Sequence, residues 1–141
     1  MTVLRSVPRS RRQQAWALDG DPQAIGHARK IIRTALNELG LRPDLVDDAV
    51  LMVSELVTNA FLYGEAPYEL LLQSDDDDIV CVVVDSGALL PVPRTADDDA
   101  ERGRGLRIVA ALSDGFHGCH PQRYVTRPDL TGKATWFALP R

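Results

Sequence analysis

The sequence predicts an α+β sandwich in which helices cover one face of a mainly antiparallel sheet. Two observations favour this fold class. Segments with apolar residues at helical spacing come first, and mostly strand-like segments follow them. A chain that groups its helices before its strands is typical of such two-layer folds. The length of 141 residues fits one domain of this kind.

A strand and a helix open the predicted domain. Residues 14–18 alternate weakly between polar and apolar side chains and predict the first strand. Asp21 is placed to cap the first helix, with Pro22 at its first position. Apolar residues then recur at helical spacing until Gly40 ends this helix.

A second helix and a hairpin follow. Pro43 opens the second helix, whose apolar stripe continues until the chain approaches Gly64. The apolar runs 68–73 and 79–85 predict two antiparallel strands, joined by an aspartate-rich segment, 74–78. Acidic turns are usually solvated, and this one lacks the ligand spacing of a calcium loop.

The last part of the chain contains a long connection, a helix and further strands. Residues 86–102 show no periodicity, and a connection of this length is usually functional or disordered. A helix is predicted over about 106–112. Strand-like pieces follow it around Phe116, around Tyr124 and at 134–139.

The composition favours a soluble, cytoplasmic protein without a membrane segment. The longest apolar run is far too short to span a bilayer, and two cysteines cannot make a disulfide scaffold. The net charge of −4 disfavours direct binding to nucleic acid. The arginine-rich residues 1–13 predict a flexible basic tail, and residues 14–141 the folded domain.

Two polar patterns belong to the predicted second helix and to the end of the most apolar strand. Glu55 and Asn59 are four residues apart, so both project from one helix face, roughly opposite the apolar stripe. Asp85 can accept a hydrogen bond from an exocyclic amine, and Gly87 lets a flat ring approach the backbone. Solvent-facing helix residues and an ordinary turn explain the same patterns equally well.

A third pattern is the glycine-rich start of the last predicted helix. Glycines there leave N–H groups unpaired and turn the positive end of the helix dipole toward an anion. A flexible loop entering a helix is the alternative. The pattern lacks the third glycine of a dinucleotide fingerprint, and the chain has no P-loop. Its residues are Gly103, Arg104, Gly105 and Leu106.

The order and spacing of these three patterns resemble the GHKL ATP-binding proteins, in which they look like the N box, the G1 box and the G2 box. The segments 54–60, 103–112 and 132–136 resemble the small anti-sigma-factor serine/threonine kinases and their stand-alone relatives in actinobacteria. The resemblance covers roughly residues 14–140. It implies the Bergerat fold, with helices on one face of a mixed, mainly antiparallel sheet.

The resemblance also implies ATP and Mg²⁺ as cofactors. Asn59 would bind Mg²⁺, and Glu55 would be the general base. Asp85 would read the adenine amino group, while Gly87 gives the base close access. The glycine-rich segment would supply amides to the phosphates, at the hinge of a lid formed by about residues 88–102.

The implied reaction transfers the γ-phosphoryl group of ATP to a serine or threonine of an anti-anti-sigma antagonist. In such families the same protein holds a sigma factor inactive. The alternative is a nucleotide-binding interaction module with weak or no catalysis, and a homodimer is possible for either. Three positions depart from the family pattern. Members of the family often have a histidine where Tyr63 stands and a basic residue near Leu62. They often have a threonine at the position of Ala134, and the alanine would remove a hydroxyl near the adenine.

Overall fold

The computed structural model describes residues 12–87 and 107–141. The strands are β1 (Arg12–Leu18), β2 (Tyr68–Ser74), β3 (Asp78–Asp85), β4 (His117–Arg123) and β5 (Thr131–Pro140). The helices are α1 (Gln23–Glu38) and α2 (Pro43–Tyr63). Residues 107–112 are also helical and are called α3. The predicted tail, 1–13, lies outside the described residues apart from the two with which β1 begins.

The strands form one sheet with helices packed on one of its faces. Their order is β1-β2-β3-β5-β4, and every pairing between these neighbours is antiparallel. The main core joins the helices to the sheet and includes Ile32, Val53, Leu70, Val83 and Phe137. A smaller cluster lies on the other face and contains Leu71, Val82, Val84, Tyr124 and Ala134. The predicted two-layer α+β fold is therefore confirmed.

The side chain of Asp21 caps α1, as the sequence predicted. Its Oδ1 accepts hydrogen bonds from the N–H groups of Gln23 at 2.9 Å and Ala24 at 3.2 Å. These are among the donors that the first helical turn leaves without a partner. Pro22 lies just before the first helical residue instead of within the helix, a difference of one residue that is usual at helix ends. Gly40 follows α1 with a φ of 76°.

The helix α2 is buried on most of its circumference. It begins at Pro43 and ends at Tyr63, as predicted, and it packs against both α1 and the sheet. An exposed ion pair of 3.0 Å between Arg33 and Asp47 also joins α1 to α2. Within 12–87 and 107–141, no helix is long and apolar enough to cross a membrane.

The aspartate-rich segment between β2 and β3 is a hydrogen-bonded turn. Oδ1 of Asp75 accepts from the N–H groups of Asp77 and Asp78 at 2.8 and 2.9 Å. A short acidic side chain that bonds to the backbone two and three residues ahead is a common turn device. Asp76 and Asp77 are exposed, which agrees with a solvated turn.

The prediction for the end of the chain was wrong in one respect. The two strand-like pieces around Phe116 and Tyr124 are parts of a single region, in which β4 lies between these two residues. Phe116 is 56% exposed, so it contributes little to the core. Pro121 is tolerated within β4 because, among the described strands, β4 pairs only with β5, so that its other side makes no ladder hydrogen bonds with them.

A buried carboxylate fastens the turn after β4 to the start of β2. Glu69 has no exposed surface and accepts hydrogen bonds from Val125 N at 3.0 Å and from Thr126 N and Oγ1, both at 2.6 Å. The hydroxyl of Tyr124 donates to the carbonyl of Pro67 at 2.7 Å. Burial, reinforced by the carboxylates of Asp85 and Glu69, raises the pKa of Tyr124 to about 12.

We expect Glu69→Gln to lower the free energy of unfolding by roughly 1–3 kcal/mol, because hydrogen bonds to a charged group are lost and buried donors lose an acceptor. Asp47→Asn is the matched control. It breaks an exposed ion pair, which contributes about 1 kcal/mol or less. Chemical denaturation monitored by circular dichroism measures both values. Equal effects of the two substitutions would contradict the assigned role of Glu69.

Candidate nucleotide-binding site

A small pocket lies where α2 faces β3 and β5. Its volume is about 20 Å³, enough for about one water molecule. The antiparallel register sets Val83 opposite Thr135 and Asp85 opposite Lys133. Alternate strand residues face the same side, so this register turns all four side chains toward α2. The lining residues are Leu56, Asn59, Ala60, Val83, Asp85, Lys133 and Thr135.

Asp85 is the buried acid of this pocket, with 3% of its surface exposed. Its Oδ1 accepts a hydrogen bond of 2.7 Å from the N–H group of Gly87. Its Oδ2 lies 3.8 Å from Nζ of Lys133 and makes no hydrogen bond with the residues that the structure describes. One carboxylate oxygen is therefore held by the backbone, and the other keeps its acceptor capacity.

Two glycines make room for the Asp85 side chain. A Cβ on Gly64 would lie 2.5 Å from both Cγ and Oδ1 of Asp85, and a Cβ on Gly87 would lie 2.8 Å from that Oδ1. Neither approach is possible for a residue with a side chain unless Asp85 moves. The carboxylate consequently sits directly against the backbone that follows α2 and the backbone that follows β3.

Asn59 and Glu55 differ in their relation to the pocket. Asn59 is half-buried and lines it, whereas Glu55, one helical turn earlier, is half-buried but does not line it. The sequence placed both roughly opposite the apolar stripe, but Asn59 reaches the pocket beside the sheet, and both side chains are half-buried. Next to Glu55, the buried Ser54 accepts hydrogen bonds from Nε and Nη2 of Arg29 at 3.1 and 2.9 Å, which fixes this turn of α2 against α1.

The comparison with known protein families shows the family to which this chain belongs. A family model described as the histidine kinase-like ATPase domain matches residues 18–127. The chain belongs to this family. A comparison with curated proteins finds no match. GHKL-type ATPase domains bind ATP, generally with Mg²⁺.

The described residues of this histidine kinase-like ATPase domain fit an adenine nucleotide. The free oxygen of Asp85 suits an amino group. Asn59 offers an amide oxygen to a cation. The described residues contain no cluster of three or more His, Cys, Asp or Glu side chains that could hold a metal. A magnesium ion would therefore take most of its ligands from phosphate oxygens and water, as is usual for this ion.

The hydroxyl that the ATPase domain presents to its pocket comes from Thr135. Ala134 is fully buried in the cluster on the opposite face of the sheet, beside Val84 and Tyr124, whereas Thr135 lines the pocket. The alanine at position 134 thus removes no hydroxyl from the pocket, contrary to the expectation from the sequence. Oγ1 of Thr135 also lies 3.6 Å from Sγ of Cys119 on β4.

The other two departures from the family pattern lie at the exposed end of α2. Leu62 is 60% exposed and Tyr63 is 39% exposed, and neither lines the pocket. Both precede Gly64, which contacts Asp85. They therefore change the surface near the pocket and leave its interior as it is.

The predicted phosphate-binding segment and lid lie outside the described residues. Gly103, Arg104, Gly105 and Leu106 belong to this segment, and about 88–102 to the lid. Residues 107–112 are helical, in agreement with the predicted helix. Val109 of α3 is buried in the main core, and Ser113 donates to its carbonyl at 2.6 Å. The helix that follows the glycine-rich segment is therefore anchored in the fold.

The sequence patterns assigned no functional role to three residues of this region: Gly64, which lies against Asp85, and the pocket residues Lys133 and Thr135. The last two lie beyond the stretch that the family model matches. A signal for Lys133 did exist. Alternation along β5 puts it on the same face as the core residue Phe137, and a lysine on a core-facing side needs an explanation.

We expect Gly64→Ala to destabilise the domain by roughly 1–3 kcal/mol, because the added methyl group overlaps a buried side chain. Nucleotide affinity should fall with it, since Asp85 must move. Gly26→Ala is the matched control: nothing lies within 4 Å of its added Cβ, and alanine in a helix is favoured over glycine by about 1 kcal/mol. Chemical denaturation and nucleotide titration measure these effects. A Gly64→Ala variant that is as stable as Gly26→Ala would show that the close approach to Asp85 is not tight.

Proposed function

We propose that this chain binds Mg-ATP and phosphorylates a serine or threonine of an antagonist protein, as an anti-sigma factor does. One observation carries the nucleotide part of the proposal. Asn59 and Asp85 come from separate elements and line one pocket, at the positions that the family resemblance assigns to the Mg²⁺ ligand and the adenine reader. Such convergence is unexpected for solvent-facing residues.

The residues around the pocket hold and orient the nucleotide. Asp85 accepts from the adenine amino group through its free oxygen, while Gly87 keeps the other oxygen in place. Asn59 contributes an amide oxygen to Mg²⁺. Gly103, Arg104, Gly105 and Leu106 are proposed to supply phosphate-facing donors through their amides and the arginine side chain.

Glu55 is proposed as the general base. When bound, ATP supplies the γ-phosphoryl group and departs as ADP, and the Glu55 carboxylate takes the proton of the attacking hydroxyl. Its position supports this role, because it lies one helical turn from Asn59 on a helix fixed by the Arg29–Ser54 hydrogen bonds. Outside the pocket lining and half-buried, Glu55 is accessible to a hydroxyl that arrives on another protein.

The partners follow from the same proposal. The sigma factor and its antagonist are proteins, and a net charge of −4 is better suited to protein partners than to direct contact with nucleic acid. Leu62 and Tyr63 place exposed apolar surface beside the pocket, where an antagonist that delivers its hydroxyl would dock. We place this activity in the cytoplasm, and a homodimer is compatible with it.

A second candidate is an interaction module that uses the nucleotide for regulation only. The observation in its favour is that Glu55 does not line the pocket. In that case the protein would bind Mg-ATP at Asp85 and Asn59 and would transfer no phosphoryl group.

Nucleotide binding is tested by titrating a fluorescent ATP analogue with and without Mg²⁺. We expect Asp85→Asn to weaken binding by roughly 10- to 100-fold, the usual effect of losing a hydrogen bond to a charged group. Asn59→Ala should weaken binding only when Mg²⁺ is present. Asp76→Asn, an exposed aspartate of the β2–β3 turn, is the control. Unchanged affinity in Asp85→Asn would refute the proposed site.

Phosphoryl transfer is tested with γ-labelled ATP and a co-purified antagonist. Label should appear on a serine or threonine of the antagonist, and Glu55→Gln should slow transfer by roughly 10²- to 10⁴-fold, the range of general base catalysis. The affinity of this variant for ATP should stay unchanged. Binding without any transfer in the unmodified protein would overturn the kinase proposal and favour the interaction module.

A further inference from the structure

Lys133 is a buried cation that the proposed function has not used. Only 8% of its side chain is exposed, and Nζ lies 3.8 Å from Oδ2 of Asp85, beyond hydrogen-bond distance. In the part of the chain that the structure describes, its ammonium group makes no hydrogen bond. An ammonium group carries three donors, and buried donors normally have partners.

The pairing with Asp85 leaves capacity on both side chains. Oδ1 of Asp85 is taken by the Gly87 amide, so the oxygen nearest Lys133 is the free one. Nζ also lies 3.8 Å from the position that a Cβ on Gly87 would take. An acceptor oxygen of Asp85 and the ammonium group of Lys133, neither hydrogen-bonded within the described residues, therefore stand side by side next to Gly87.

This arrangement is complementary to one edge of adenine. The 6-amino group of adenine is a donor, and the neighbouring N1 is an unprotonated acceptor. Guanine and hypoxanthine carry a carbonyl oxygen at position 6 and an N–H group at position 1, so their edge presents the opposite order. With Asp85 at position 6 and Lys133 at position 1, either of these bases would set acceptor against acceptor and donor against donor.

We propose that Lys133 is a base-specificity residue, whose ammonium group donates a hydrogen bond to N1 of adenine while Asp85 accepts one from the 6-amino group. This inference rests on the proposed binding of ATP at Asp85. The pocket volume of about 20 Å³ admits about one water-sized group, such as an amino group on the edge of a base, and excludes a whole purine. The choice between purine bases is therefore made at positions 1 and 6 of the ring edge, which face Lys133 and Asp85.

The test compares ATP with 1-deaza-ATP, in which N1 is replaced by a C–H group, on the unmodified protein and on Lys133→Met. Competition against a fluorescent nucleotide gives the affinities. The unmodified protein should bind 1-deaza-ATP roughly 10- to 100-fold more weakly than ATP, as expected for a lost hydrogen bond from a charged donor. In Lys133→Met this ratio should fall to about threefold or less, because the donor is gone.

Two further measurements separate specificity from structure. Purine riboside triphosphate lacks the 6-amino group, and its penalty relative to ATP should persist in Lys133→Met, because Asp85 still reads that position. Lys133→Arg keeps a cationic donor and should retain part of the 1-deaza penalty. The free energy of unfolding of each variant is measured in parallel, so that a general loss of structure is recognised by equal losses for all nucleotides.

The outcomes distinguish this inference from the proposed function. Failure of the unmodified protein to bind ATP would overturn both. Binding of ATP that depends on Asp85, with an equal 1-deaza penalty in the unmodified protein and in Lys133→Met, would overturn the role of Lys133 alone. Equal affinities of the unmodified protein for ATP and 1-deaza-ATP would also overturn the role of Lys133, without the need for any variant.

Discussion

The candidate site depends on the antiparallel register between β3 and β5. This register sets Asp85 opposite Lys133 and Val83 opposite Thr135, and so turns two charged and two uncharged side chains toward α2. Because side chains alternate along a strand, a slip of one residue would send Lys133 to the far face and bring Ala134 to the pocket. The polar chemistry of the pocket is therefore a consequence of strand pairing.

The fold around this register keeps Asp85 in place from several sides. Gly87 bonds to it, Gly64 lies against it, and β5 runs beside it. On the same end of the sheet, Glu69 and Tyr124 hold the turn that leads into β5. The carboxylate is thus held from several sides, as its proposed role of reading the edge of a base requires.

Much of the fold and part of the site could be predicted from the sequence, because both leave local patterns. Helical spacing predicted α1 and α2, and the position of Asp85 at the end of an apolar strand drew attention to it. Gly64, Lys133 and Thr135 belong to the site only through contacts with residues that are distant in sequence. No local pattern contains a register, so their roles in the site could not be predicted, although the core-facing position of Lys133 marked that residue as unusual. For the same reason the broad burial of α2 escaped notice, since it depends on two neighbours at once.

The register also has a consequence for the order in which the site forms. The β2–β3 and β4–β5 hairpins are local in sequence, whereas the β3–β5 pairing joins one hairpin to the other, and contacts of that range are slower to form. A chain with only its hairpins made has no pocket. Under the proposed function, nucleotide would therefore bind only the docked, native state and stabilise it by mass action.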